Sequence, residues 1–227
     1  MRAGIMFSVL IAPMAVASAQ PASTRPAAIP QTLPTTIPAT VPTDTPKQAL
    51  RALNIALRDG DARAIRELFV IRDDDASRLI NAMADYAGAL AVLHKAAEQA
   101  YGVEGANKVT GDMLAQSAEG LAAIDKADAT IDGDTATVKF AAASDPPVRL
   151  VKVDGFWKLP FSQLLEGADK AAEQRRYKEL RHQADLARKT AEEVKAGRYR
   201  EGALKAAEVW RSRLLELSAT APATKPS

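Results

Sequence analysis

Three observations predict an α+β fold for this 227-residue chain. Residues 129–160 hold period-two runs separated by Gly-bearing turns, Leu79 to Tyr101 recur at spacings of three and four, and an alanine-rich helical pattern fills 162–219. The expected architecture is a set of N-terminal helices packed on a short antiparallel β-meander, followed by a C-terminal antiparallel helical hairpin.

Residues 1–19 carry one positive side chain, Arg2, then an apolar block from Ile5 to Val16, and end in Ala17-Ser18-Ala19, small residues that signal peptidase accepts. They read as a signal peptide cleaved near Ala19, which would place the protein in the periplasm or outside the cell. An uncleaved anchor is the alternative, but the block is short and Pro13 interrupts it. No later segment reaches the ~18 consecutive apolar residues of a span, so no transmembrane helix is expected in the mature chain. Cysteine is absent. There is thus no disulfide framework and no lipid-accepting cysteine, and packing alone must supply stability.

Proline then recurs with a strict period of four at Pro26, Pro30, Pro34, Pro38, Pro42 and Pro46. Proline fixes φ and lacks a donor, so residues 20–45 are expected neither to join a sheet nor to propagate a helix, but to form an extended, solvated tether. A docking ligand for an aromatic-lined groove is the second reading.

The α+β domain is placed at 46–161. Thr45-Pro46 is a good helix start, because a first-turn proline lacks a donor that would have gone unused. Leu50, Leu53 and Leu57 share one face of that helix. Asp59-Gly60-Asp61 breaks it, with Gly60 suited to a left-handed cap and Asp61 to the next N-cap, and Ile65, Leu68 and Phe69 face the core from a second short helix. Asp73-Asp74-Asp75 introduces a long helix whose stripe is Leu79, Met83, Tyr86, Leu90, Leu93, Ala97 and Tyr101, ended by Gly102 and Gly105. A further helix is expected from Asp112 to Ile124.

The period changes to two in Thr135, Thr137 and Lys139 against Ala136, Val138 and Phe140. Asp132-Gly133-Asp134 and Asp154-Gly155 are hairpin turns, and Pro146-Pro147 marks a connection because it removes ladder donors. From Ser162 to Val194 the chain is expected to be helical, with Leu165, Tyr177, Leu180, Ala184, Ala187, Ala191 and Val194 as its seam and Gly197 as its stop. Ala203, Ala207, Trp210, Leu214 and Leu217 form the face of the return helix, so 162–219 reads as a helical hairpin and 220–227 as a disordered tail. Its seam requires a cover, either the sheet domain or a second copy of the hairpin in a homodimer.

Charge is nearly balanced at +2 overall, with +1 before residue 46, −3 across 46–161 and +4 beyond. So dispersed a basic excess, with only five Phe for stacking, is unlike a nucleic-acid-binding surface.

The order of helix pair, long helix and meander resembles the nuclear transport factor two-like superfamily. Ile131-Asp132-Gly133-Asp134-Thr135-Ala136-Thr137-Val138 and Leu150-Val151-Lys152-Val153-Asp154-Gly155-Phe156-Trp157-Lys158-Leu159 carry the likeness, together with Pro46, Leu50, Leu53, Asp59, Gly60, Asp61, Leu68 and Phe69. The resemblance covers residues 46–161 and is nearest to small exported bacterial members. It implies a curved sheet wrapped around the long helix as a cone. Members that are steroid isomerases or polyketide cyclases use an acidic residue with a Tyr, Asp or His inside that cone. Here the strands are fewer and shorter, and the helical hairpin stands in place of the late strands.

A cone would make Asp85, Tyr86 and His94 the candidate catalytic groups, with Tyr86, Leu90, Phe140 and Trp157 lining a pocket. A carboxylate desolvated there would serve as a base. Packing accounts for the same residues: Tyr86 fits the stripe, Asp85 lies beside it toward solvent, and Trp157 has the size of a core plug. His94 and Glu98 share a helix face at metal-ligand spacing, but two ligands do not make a site and a solvent-facing ion pair explains them. Asp73–Asp75 and Asp132 with Asp134 lack the calcium-loop pattern, and capping and turns explain them. Nucleophile elbows and phosphate loops are missing, and Ala196-Gly197-Arg198-Tyr199 is a hairpin turn resembling a fragment of a tetratricopeptide repeat. No metal or cofactor is expected. The leading expectation is an exported non-catalytic protein that binds a protein partner or a small apolar ligand. The alternatives are a cyclase-like or isomerase-like enzyme using Asp85 and a self-associating envelope scaffold.

Overall fold

The computed structural model describes residues 43–71, 73–141, 146–165 and 169–219. The expected signal peptide, nearly all of the tether and the C-terminal tail lie outside the described residues, as does the Leu165 side chain. The described chain is α+β, with helices α1 (Pro46–Asp59), α2 (Ala62–Glu67), α3 (Asp74–Thr110), α4 (Met113–Lys126), α5 (Lys170–Lys195) and α6 (Ala203–Ala219). Its five strands are β1 (Phe69–Val70), β2 (Asp128–Asp132), β3 (Thr135–Lys139), β4 (Val148–Val153) and β5 (Phe156–Pro160). They lie in the order β1-β5-β4-β3-β2, antiparallel except for β1, which runs parallel to β5.

Helix starts follow the expected chemistry. Thr45 and Gln48 form a reciprocal capping box ahead of Pro46, and Asp61, Asp73 and Asp112 each accept from first-turn N–H groups. The chain is already fixed at Thr43, whose carbonyl accepts from the Trp157 N–H at 3.1 Å. The described fold therefore already includes Thr43, three residues before the proline at which the domain is expected to start.

Four further differences emerge. Phe69 leaves α2 and pairs with Leu159, because the helix stops at Glu67 and the Leu68 carbonyl accepts from the Leu159 N–H. Gly102, at φ 73° and ψ 175°, does stop the long rod, but helix resumes at once and folds back. His94 and Thr110 are hydrogen-bonded at 2.7 Å, although sixteen residues of straight helix would separate them by about 24 Å. Gly105 lies inside the returning segment, where the absence of a side chain makes room for Tyr101. Ser162 opens no long helix: Phe161–Leu165 is a 3₁₀ turn, and α5 begins only at Lys170 behind its cap Asp169.

The largest difference concerns what covers the rod. Leu79, Ile80 and Met83 share a core with Ala136, Val138, Leu150 and Trp157 of the sheet, and α1 lies between. Beyond Tyr86 the rod packs instead on Ala184, Ala187, Ala191 and Val194 of α5 and on Ala206, Ala207 and Trp210 of α6. The hairpin seam from Ala184 to Val194 is thus taken up by α3 of the same chain, while Leu180 and Tyr177 at its start join the core shared with the sheet. Among the described residues no helix is long and apolar enough to cross a membrane.

The α1–α2 turn seats directly on the rod. Gly60 has φ +68°, and a Cβ there would lie 2.8 Å from both Ala91 Cβ and Gly88 Cα. Gly133 also has positive φ, at +55°, but faces open space. Gly133→Ala should therefore cost about 1 kcal/mol for the left-handed backbone alone. Gly60→Ala should cost about 3 kcal/mol, since overpacking adds to the same term. Urea unfolding midpoints of the two variants check this ordering.

Candidate functional site

Two polar constellations stand out against the alanine-rich interior. The first surrounds an open groove of about 470 Å³ between the α1–α2 turn, α3 and α5. Small side chains make its floor: Ala84, Gly88 and Ala91 on α3 are spaced to lie under the Gly60 turn. Charges make its rim. Asp59 holds Arg58 at 2.6 and 2.9 Å, Asp85 is bonded to Arg188, and Arg188 also reaches Asp185 at 3.2 Å. Exposed Val92 and Lys95 complete the wall.

Of the sequence-predicted catalytic residues, only Asp85 reaches this groove. Its carboxylate is engaged by a guanidinium and open to water, which suits ion pairing better than proton abstraction, a task that needs a free lone pair aimed at a desolvated substrate. Tyr86 turns the other way, between the two cores, and burial raises its phenol pKa. His94 does not pair with Glu98; it bonds Thr110 and so clamps the fold-back at Gly102.

The four pocket candidates are not brought to a common cavity. Trp157 is buried in the sheet core with Lys152 Nζ 5.9 Å above its ring, Phe140 packs at the margin of that core, and Leu90 packs on the hairpin cluster. Among the described residues no three His, Asp or Glu side chains gather as a metal would require.

The second constellation was not read from the sequence. Glu193 is buried where α5 meets α6, and Arg213 reaches both of its carboxylate oxygens, at 2.7 and 3.2 Å. Arg213 also donates to Thr190 at 3.1 Å, the Tyr199 hydroxyl donates to Glu193, and Arg198 approaches at 3.7 Å. The available signal was a glutamate next to the seam residue Val194, one turn from Thr190. Hydrogen bonding from Arg213, reinforced by Tyr199, holds the Glu193 carboxyl below its usual range despite burial. Burial and donation to Glu193 together push the Tyr199 phenol up to about 12. This cluster joins α5, α6 and the turn between them around the buried Glu193 carboxylate.

Because the Glu193 pKa falls on folding, its contribution to stability is complete above the unfolded value of about 4.5 and is lost as pH drops through the folded value. Glu193→Gln should therefore cost about 2–3 kcal/mol at neutral pH by leaving Arg213 without its counter-charge. That difference should shrink progressively below about pH 4.5. Thermal melts of both proteins across that range test the sign.

Comparison of the chain with protein-family models, with curated proteins and with solved structures found no match.

Proposed function

We propose that this chain is an exported, non-catalytic binding protein that takes a protein partner at the groove beside Asp85. One observation carries this reading: the groove is open to the surface and combines an apolar wall at Val92 with the Asp85–Arg188 ion pair and the exposed charge of Lys95. Such a mixture fits a segment of polypeptide, whose apolar side chain and charged neighbours can be met together. A small apolar ligand is less well served, because it needs an enclosed pocket and both described cores are filled by side chains such as Leu150, Trp157, Leu93 and Trp210.

Export rests on the Arg2 to Ala19 pattern, and the proline-rich leader supplies the spacer. Kinship with the nuclear transport factor two-like superfamily belongs to the same proposal. In this reading the meander would be a reduced cone, laid over α1 and the first turns of α3. The enzyme alternative would need Asp85 released from Arg188, and the scaffold alternative would need a face other than the hairpin seam.

The test replaces Val92 and Lys95 together. Val92→Glu/Lys95→Glu should leave the melting temperature within about 1–2 °C, since both side chains are surface groups. Capture of partner from an envelope extract should fall about tenfold or more relative to the native chain. Equal capture by both proteins would overturn the assignment of the groove. Turnover abolished by Asp85→Asn at unchanged stability would replace binding by catalysis.

A further inference from the structure

Among the described residues β2 is an edge strand of the sheet, and all five of its residues are exposed. It carries no proline, lysine or bulge, and its two charges, Asp128 and Asp132, stand at its ends and leave Ala129, Thr130 and Ile131 uncharged between them. Asp132 and Thr135 flank a two-residue turn and so exchange hydrogen bonds, as do Thr130 with Thr137 and Asp128 with Lys139 further along the ladder. Ala129 and Ile131 consequently direct their N–H and C=O groups outward.

Their side chains lie on the helix-facing side, opposite buried Val138 and Ala136, but the helices stop short of them and Ile131 remains 55% exposed. A second β2 would be a poor cover. Antiparallel pairing of two such edges about Thr130 sets Asp128 against Asp132 of the other copy, a like-charge contact.

The leader sequence supplies a complementary edge. Its prolines recur every fourth residue from Pro26 to Pro42. Four is an even number, so in an extended segment all of these prolines turn their missing donors to one side. The residues of the other parity, Ile29 and Gln31 among them, keep every N–H on the opposite side. Proline excludes a segment from a sheet interior, but one intact side suffices for an edge strand. The residues preceding proline are also biased to extended backbone.

We propose that residues 28–32 of the same chain add to β2 as an antiparallel edge strand, with Ile29 opposite Ile131 and Gln31 opposite Ala129. Ile29 then covers Ile131, Pro30 stands opposite Thr130 with its donorless side toward water, and the Thr32 hydroxyl meets the Asp128 carboxylate. Reach selects this repeat. The described chain starts at Thr43 on the far edge of the sheet, five strand spacings or about 24 Å from a strand beside β2. The path must also run about five residues, roughly 16 Å, along the strands, because Thr43 lies level with Trp157 and Lys152 whereas Asp128 lies level with Lys139, beyond the Val138–Val148 pair. The repeats at Leu33 and Ile37 leave at most about 25 Å of chain before Thr43 and fall short of the resulting ~29 Å, whereas the eleven residues from Thr32 to Thr43 span up to about 37 Å.

Parity gives a test that composition cannot imitate. Gln31→Pro removes a donor on the bonded side, while Ala28→Pro adds the same residue on the water side. In the full chain, the amides of Ala129 and Ile131 should exchange about tenfold or more slowly in the native protein and in Ala28→Pro than in Gln31→Pro. Equal exchange in all three proteins would overturn the proposal. Protection that rises with protein concentration would also overturn it, by assigning the covering strand to a second copy.

Discussion

One helix serves two cores, and the rest of the molecule is arranged around that demand. The first turns of α3 supply Leu79, Ile80 and Met83 to the sheet side, and its later turns supply Leu93, Ala96 and Ala97 to the hairpin side. A helix covered on so many faces cannot keep a single apolar stripe with a polar back. Small residues solve the packing problem. Ala82, Ala84, Ala87 and Ala89 are all buried, and they let neighbouring helices approach closely without large side chains having to interdigitate. The Gly60–Gly88 contact is the extreme case, with backbone almost on backbone.

This arrangement explains what could be read from the sequence. Strands β2 to β5 and their turns were legible because Asp-Gly chemistry and period-two alternation are local signals, and helix starts were legible because caps act over three residues. The alanines of α3 were not. An alanine has the same helix propensity whether it faces water or another helix, so apart from Ala97, which falls in step with them, only Leu, Met and Tyr declare a stripe. β1 is two residues long and owes its existence to a partner ninety residues away, which no local pattern can report.

The surroundings of the candidate residues depend on partners just as remote. Asp85 lies beside the stripe with a third of its side chain exposed, but the sequence could not supply Arg188, which comes from a helix about a hundred positions downstream. The cone that would have grouped Tyr86, Leu90, Phe140 and Trp157 depends on the sheet following the rod along its length. The sheet instead leaves the rod near Tyr86, where α5 takes over, and the four side chains are divided between two cores. The groove results from the same handover, since it opens where the α1–α2 turn ends and α5 begins to cover α3.

An alanine seam also carries a weakness that the charges offset. Shifting α5 by one turn along α3 would exchange one alanine for another at little cost in burial, so apolar packing alone discriminates poorly among registers. Asp85–Arg188 distinguishes them at the α3–α5 interface, but both side chains are a third or more exposed, and such pairs contribute about 0–1 kcal/mol. The pair at the α5–α6 interface is different in kind. Glu193 is 9% exposed and Arg213 23%, and any slip that separates them strands a carboxylate inside the seam. Breaking so largely buried a pair costs about 2–3 kcal/mol, several times the exposed one. The hairpin register is therefore set chiefly at its closed end, and α6 is held firmly enough there to let Trp210 complete the second core.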